Sequence, residues 1–485
     1  MLPGMPELSP AQREALGALL NAAPFAGVVR DLGRRFADRG HELYLVGGTV
    51  RDALLDRASP DVDLTTDATP DQILAVVRAG RWSDGVWLQG VRYGTVGVRK
   101  GDFRLEITTF RSDVYREDSR KPEVTFGRSI EEDLARRDFT VNAMAMKLPD
   151  GPFVDPHGGL GDLAAKRLRT PSSPEVSFED DPLRMLRAAR FASQLGLVPT
   201  PETQTAITER RERLQIVSRE RIRDELSKLL LGREPARGLW LAVNTGLAGE
   251  FLPELPALAL EQDPVHRHKD VLRHTIAVVE RATAFDADEP DLTLRMAALL
   301  HDIGKPRTRK VDDEGVSFHL HEVVGAKMAE KRLTELRFPS DFIADVRQLV
   351  LLHLRFHTYR LGWSDSAVRR YVRDAGPLLD RLNFLVRSDC TTRNVFKARQ
   401  LAGYSDELEE RIARLEAEEE LASIRPSLDG RQVMERLGVP PGPVVGKALA
   451  HLLELRLDRG PMSEEDATEA LRAWAEDQGL ELPGS

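Results

Sequence analysis

A chain of 485 residues is too long for one hydrophobic core and implies three or four domains. Its 41% hydrophobic and 30% charged residues fit an ordinary soluble globular protein, and no stretch approaches a membrane span. The single cysteine, Cys390, excludes a disulfide framework and a cysteine-based zinc site and points to a reducing cytoplasm. The net charge of −9 argues only weakly against a nucleic-acid partner, because charge distribution outweighs the sum.

The N-terminal MLPGMPELSPAQREALGALL lacks the basic start and long apolar run of a secretory leader, so none is expected. Residues 41–110 read as α/β. ELYLV is a short apolar strand that runs into Gly47-Gly48 and a helix, TVRDALLD, and DVDLTT reads as the next strand. TPDQILAVVRAG is a helix with a capping box from Thr69 to Gln72 and Pro70 at its first position. TVGVRK and FRLEITTF alternate like an antiparallel pair. From about residue 160 the apolar spacing is three and four, as in DPLRMLRAARFASQLG and DLTLRMAALLHDIGK, so the rest reads as helical. DELEERIARLEAEEE, residues 406–420, is an acidic helix, either a solvated spacer or a packing element of the tail.

A strand places residues i and i+2 on one face, so Asp61 and Asp63 stand side by side. That is unfavourable unless a cation lies between them. Hard oxygen donors suit Mg²⁺, which takes its other ligands from water and substrate phosphate. Alone, a D-x-D reads more readily as two surface acids. Its context changes that reading. Gly47-Gly48 lets backbone approach a bulky anion and opens a helix, with Arg51 one turn in. The arrangement is that of a triphosphate-plus-metal site: one metal on the phosphates, a second activating an attacking hydroxyl. Glu106 in FRLEITTF is a candidate third carboxylate, an exposed strand glutamate being the alternative.

LVGGTVRDALL followed by DVDLTT, then RRDFTVNAMA at 136–145 and DDPLRMLRAARFASQLG at 180–196, resembles the class II tRNA nucleotidyltransferases. These are the CCA-adding enzymes and their bacterial poly(A) polymerase relatives. The resemblance covers roughly the first half of the chain. It implies a polymerase-β-like head, a helical neck, and Mg²⁺-dependent transfer of CMP and AMP from CTP and ATP onto a tRNA 3′ end, releasing pyrophosphate. Asp61 and Asp63 would be catalytic metal ligands; Gly47, Gly48, Arg51 and Arg137 would contact the nucleotide. Asp138 and Asn142 would shape the ribose side.

In the last motif, Asp181 reads as the helix cap, with Pro182 at the first position. Asp181, Arg184, Arg187 and Arg190 follow at spacings of three along one side; the plainer alternative is an N-terminal acid and three solvated arginines. An aspartate accepts from the amino group of cytosine or adenine, and a neighbouring arginine donates to the adjacent ring nitrogen. Uracil and guanine present a carbonyl instead. One Asp-Arg pair thus selects C and A without a nucleic-acid template. In the family this is the role of the pair matching Asp181 and Arg184, and Arg187 and Arg190 match further nucleotide contacts. The family's usual Glu-Asp before the proline is Asp180-Asp181 here. Residues 210–238 are arginine-rich, a salt-bridged face by themselves and an RNA-backbone surface once the head is identified.

The second half holds His274, then His301-Asp302 at a helix end stopped by Gly304 and Pro306, then His321, His353 and Asp389. An isolated histidine is usually structural, but His-Asp with further His and Asp on separate helices is the ligand set of a bundle-core metal site. The pattern resembles the HD superfamily of metal-dependent phosphohydrolases. That implies a divalent metal on His274, His301, Asp302 and Asp389, with His321 and His353 for a second, and leaves an added phosphohydrolase activity open.

The expected organisation is an α+β nucleotidyltransferase head with an N-terminal helical extension over 1–165, an all-α neck over 166–260 for base recognition and RNA binding, a helical HD domain over 261–400 and a helical tail over 401–485. The expected function is a cytoplasmic CCA-adding enzyme acting on tRNA with ATP and CTP. The rivals are a poly(A) polymerase of the same family and an HD phosphohydrolase whose head only binds RNA.

Overall fold

The computed structural model describes residues 23–57, 61–114, 123–127, 129–260, 270–312, 315–391, 394–419 and 424–480. The expectation about a leader falls on residues outside these, as does the expected border at 260/261 on its C-terminal side. The chain divides into two compact units, Met1–Pro253 and Glu254–Ser485. Among the described residues no helix is long and apolar enough to cross a membrane.

The first unit is built on a mixed seven-stranded sheet. Its strands are β1 (Leu43–Val46), β2 (Asp61–Thr66), β3 (Gly85–Trp87), β4 (Thr95–Lys100), β5 (Phe103–Thr109), β8 (Ala145–Leu148) and β9 (Phe153–Val154). The order across it is β3-β4-β5-β2-β1-β8-β9. Only the β2–β5 pair is parallel. A separate hairpin joins β6 (Arg111–Val114) to β7 (Glu123–Phe126). Helices α1 (Ala26–Ala37) and α3 (Pro70–Arg78) cover one face, and α2 (Gly48–Leu54) follows β1. Leu32 and Phe36 of α1 and Ile73, Val76 and Val77 of α3 are buried with Leu43, Leu45, Val62, Leu64, Val96, Val98, Leu105 and Ile107. The strand residues between these point the other way, which is the period of two at work. The capping box of α3 forms as expected, Gln72 accepting from the Thr69 N–H at 2.8 Å.

On the opposite face, α4 (Ile130–Ala135) packs Ile130 and Leu134 against Tyr44, Val46 and Phe110. That closes the sheet at β1 and leaves β2, β5, β4 and β3 uncovered by this cluster. The rest of the unit is mainly helical, with one short parallel pair, Arg167–Leu168 to Val198–Pro199; α5 (Leu183–Leu195) and α6 (Arg219–Leu230) pack together.

The second unit is a helical bundle of α7 (Val271–Ala282), α8 (Leu292–Leu300), α9 (His321–Glu335), α10 (Ser340–Leu352) and α11 (Leu379–Asp389), with a small hairpin, Arg309–Asp312 to Gly315–Phe318, that the sequence reading did not foresee. Pro306 lies within a short helix, Lys305–Thr308, so it starts an element as well as ending one. The acidic helix is the long α12 (Val395–Glu419). Its Leu408, Ile412 and Leu415 are buried, so it is a packing element and not a solvated spacer. The tail helices close their own core around Val433, Leu452 and Leu471.

Candidate functional site

Asp61 and Asp63 project from the open face of β2, alternating with Val62 and Leu64, which are buried on the core side. Parallel pairing sets Glu106 beside Asp63 and Arg104 beside Asp61. The Asp63 N–H donates to Thr49 Oγ1 at 2.8 Å, tying α2 to the strand. Asp63 keeps solvent access along the cleft, so its burial is that of a recess. That burial and the neighbouring Asp61 push its carboxyl up, against the pull of Arg137. Burial and the two aspartates likewise push Glu106 up. Like charges crowded this way fit a hard divalent cation held by Asp61 and Asp63. Glu106 flanks the pair from the neighbouring strand.

A cavity of about 480 Å³ begins at Asp63. Gly47, Gly48, Arg51, Arg137, Asp181, Arg184, Arg187 and Arg190, every residue expected to contact the nucleotide, line it together with Asp138 and Asn142. Gly47 has φ +69°, the left-handed region that favours glycine, and a Cβ there would press on the end of the Arg137 side chain, 2.7 Å from Nη1. Three further lining residues, Arg111, Arg136 and Phe191, were not singled out in the sequence.

The arginines are organised by buried acids. Asp133 is fully buried and accepts from Arg136 Nη2 at 2.6 Å and Arg137 Nη2 at 3.1 Å. Arg187 pairs with Asp138 at 2.7 Å and Arg190 with Glu225 at 3.0 Å. The Phe191 ring lies under Arg190, Arg51 and Arg187, at 4.4, 5.3 and 5.9 Å from its centroid. Burial works against the Arg187 charge, but Asp138, Glu225, Asp181 and Asp63 raise its pKa. Burial and the Arg187 charge bring Arg190 down to about 10.

Two expectations change in detail. Arg51 does not reach out alone: it forks onto Asp52 at 2.9 and 2.8 Å and donates to Asn142 Oδ1 at 2.5 Å. The α5 helix starts at Leu183 with Pro182 in the capping position; Asp181, one residue earlier, still accepts from the Leu183 N–H at 3.2 Å. The arginine stripe is not solvated, since Arg184 and Arg190 are buried. Arg184 donates to Ser177 Oγ at 2.9 Å and to the Arg136 carbonyl. Asp181 Oδ2 meets Arg221 of α6 at 2.8 Å. The neck arginines therefore do form ion pairs, with Arg210 and Arg213 both on Glu179.

In the second unit the six expected groups converge. His274, His301 and Asp302 form one potential ligand group and Asp302, His321 and His353 another, with ligand atoms within 4.8 Å. Asp389 joins the first at 2.8 Å from His274 Nε2. Each of His301, His321 and His353 turns Nδ1 to the carbonyl three residues back, at 2.8, 2.8 and 2.7 Å. A ring that donates from Nδ1 presents the Nε2 lone pair to a metal. His353 Nε2 is buried with no hydrogen-bond partner, and His321 Nε2 faces Asp302 Oδ1 at 3.3 Å. Burial and the neighbouring His301 hold His353 neutral, its pKa down at about 3. Burial opposes the Asp302 charge too, but His301, His321 and Lys305 hold its carboxyl well below the usual range. This donor set fits one or two divalent cations sharing Asp302. A cavity of about 540 Å³, lined in part by Lys305, Phe356, Lys397 and Tyr404, opens beside it.

Three family models match the chain: the poly(A) polymerase head domain over 43–169, the probable RNA and SrmB-binding site of polymerase A over 196–258, and the HD domain over 271–394. The A-adding tRNA nucleotidyltransferase of Deinococcus radiodurans is 34% identical over 449 residues, 91% of this chain and 96% of that protein. The chain belongs to the tRNA nucleotidyltransferase family. The CC-adding tRNA nucleotidyltransferase of Thermus thermophilus is also 34% identical, over 89% of this chain and 94% of its own. The crystal structure of the Bacillus stearothermophilus CCA-adding enzyme in complex with CTP superposes with a TM-score of 0.66 at 27% identity, covering 97% of this chain and 99% of that one. In this tRNA nucleotidyltransferase the head is thus followed by a neck and an HD domain.

Proposed function

We propose that this protein is a cytoplasmic, Mg²⁺-dependent enzyme that adds C, C and A to the 3′ end of tRNA from CTP and ATP. The observation that carries this reading is one cavity that Asp63, Gly47 and Arg137 line together with Asp181 and Arg184. Mg²⁺ on Asp61 and Asp63 would neutralise the triphosphate and activate the RNA hydroxyl. The 3′ oxygen of the RNA forms a bond to the α-phosphorus, the bond to the β-phosphate oxygen breaks, and pyrophosphate leaves. Gly47 and the arginines bind the phosphates; Asp181 and Arg184 read the base edge. Relatives named A-adding and CC-adding match 91% and 89% of this chain. The paired reader takes both C and A, which favours the complete addition. The test is a tRNA lacking its 3′ end, incubated with each labelled NTP in turn. The reading expects two C additions, then one A, then a stop. No incorporation would overturn it, long A tracts would mark a poly(A) polymerase, and C or A alone a partial enzyme.

Asp181→Ala should relax discrimination against UTP and GTP by one to two orders of magnitude, since a matched hydrogen-bonded pair carries about 1–3 kcal/mol. Arg51→Ala should instead weaken all four triphosphates alike. Steady-state kinetics with each NTP checks both, and unchanged selectivity in the Asp181 variant would refute its assignment.

The helical unit is proposed as a separate divalent-metal site of phosphohydrolase type, on the strength of the four histidines gathered around Asp302. His301→Ala or Asp302→Ala should strip metal from the protein while CTP and ATP incorporation stays near normal, because the two sets of acids belong to different compact units. Metal analysis and single-nucleotide addition on the same preparations measure this. Collapse of addition in a folded variant would refute the separation.

A further inference from the structure

Two rows of residues cross the head sheet on its open face. One row runs Asp63, Glu106, Gly97, Trp87 and the other Asp61, Arg104, Arg99, Gly85, each residue paired with the next. Directly paired residues project to the same side of a sheet. The two aspartates, Glu106, both arginines and Trp87 accordingly line one cleft of about 760 Å³. Asp63 also lines the arginine-rich cavity, so it stands on the boundary between two spaces.

The two spaces differ in chemistry. In the first, buried arginines are already bound to acids and carbonyls around a glycine turn. In the second, Arg99 and Arg104 are exposed, and neither has a side-chain hydrogen bond or salt bridge among the described residues. Trp87 is half-buried, its indole filling the space that a side chain at 97 would need: a Cβ on Gly97 would fall 1.9 Å from ring atoms Cε2 and Nε1. A seated aromatic beside unpaired guanidinium groups is how single-stranded nucleic acid is held, by stacking and backbone charge.

Transfer needs the attacking and leaving oxygens roughly in line through the reacting phosphorus. With the triphosphate on the glycine and arginine side of Asp63, the hydroxyl must arrive from the other side. We propose that this cleft is the acceptor platform: Trp87 stacks on the 3′-terminal base of the RNA, while Arg99 and Arg104 hold its phosphates. The proposal rests on the nucleotidyl-transfer reading above and deepens it by assigning residues to the RNA end.

The test is steady-state addition of C to a tRNA lacking its 3′ end. Trp87→Ala should raise the KM for RNA roughly tenfold, the size of one base–aromatic stack, with the KM for CTP unchanged. Trp87→Phe should recover most of that loss. Arg99→Ala and Arg104→Ala should each raise the RNA KM and reduce its salt dependence. An acceptor whose last nucleotide is abasic should behave with the wild-type protein as intact RNA does with Trp87→Ala. Combining the two should cost nothing further, because they remove the same contact. A wild-type RNA KM in Trp87→Ala and in both arginine variants would overturn the platform, as would losses that multiply with the abasic end. A wild-type protein that adds no nucleotide would instead bring down the transferase reading itself.

Discussion

Asp61→Ala or Asp63→Ala is expected to cut nucleotide addition by about 10³-fold or more while leaving the fold intact. The rate loss follows from removing a ligand for the cation that neutralises the triphosphate, worth several kcal/mol in the transition state. The intact fold follows from where the side chains sit. Both point to the open face of β2, while the neighbouring Val62 and Leu64 carry the packing. The tie from Thr49 is made to the Asp63 backbone N–H and survives substitution. The charge itself is unfavourable here. Burial and Asp61 raise the Asp63 pKa, so its ionised form is stabilised less in the fold than in the unfolded chain. Neutralising it at pH 7 therefore removes a destabilising charge, and thermal stability without metal should match or exceed that of the wild type. Addition of Mg²⁺ should stabilise the wild type and have little effect on the head in either variant. Near-normal turnover in a folded variant would sink the assignment.

Local patterns made much of the head legible. The D-x-D, the Gly-Gly turn and the capping box all act within a few residues, so the sequence carries them whole. The bundle histidines were also readable by type. What could not be read was set by pairing and burial. Glu106 could be named as a candidate third carboxylate, but its place beside Asp63 comes from β2 pairing with β5 across an intervening helix and two strands, a register that no local pattern announces. The orientation of His301 and His353 depends on helix ends, where each ring meets a carbonyl three residues back. In α12 the run of glutamates hid the buried stripe of Leu408, Ile412 and Leu415. In α5 the spacing of the arginines was visible, but not that Asp138 and Glu225 would claim two of them.

Asp133 shows the same gap and leads to the second large effect. In SIEEDLARRDF it is one of three consecutive acids in the first turn of α4, a place where acids usually sit in solvent. Its neighbours Ile130 and Leu134 pull that side of the helix onto the sheet, and Asp133 is left with no exposed surface. Its carboxylate then gathers Arg136, Arg137 and the Arg111 backbone N–H, at 2.6, 3.1 and 3.4 Å. All three of those residues line the nucleotide cavity. Burial opposes the Asp133 charge, yet Arg137 and Arg136 hold its carboxyl below the usual range. The stability this supplies is present above the unfolded-state pKa and is lost as pH falls through the folded one, so it is intact at neutral pH. Asp133→Asn keeps the shape and removes the charge from a buried pair, a change that typically costs about 3–5 kcal/mol. The expected result is a fall in the melting temperature of the first unit of about 6–20 °C, at roughly 2–4 °C per kcal/mol for a unit of this size. In the fraction that stays folded, the KM for CTP should rise, because Arg137 loses its anchor beside Gly47. Arg136→Ala should cost less stability, since Arg137 still pairs with the carboxylate. Melting curves together with CTP kinetics measure both effects, and an Asp133→Asn protein with wild-type values of both would show that the buried carboxylate does not organise the cavity.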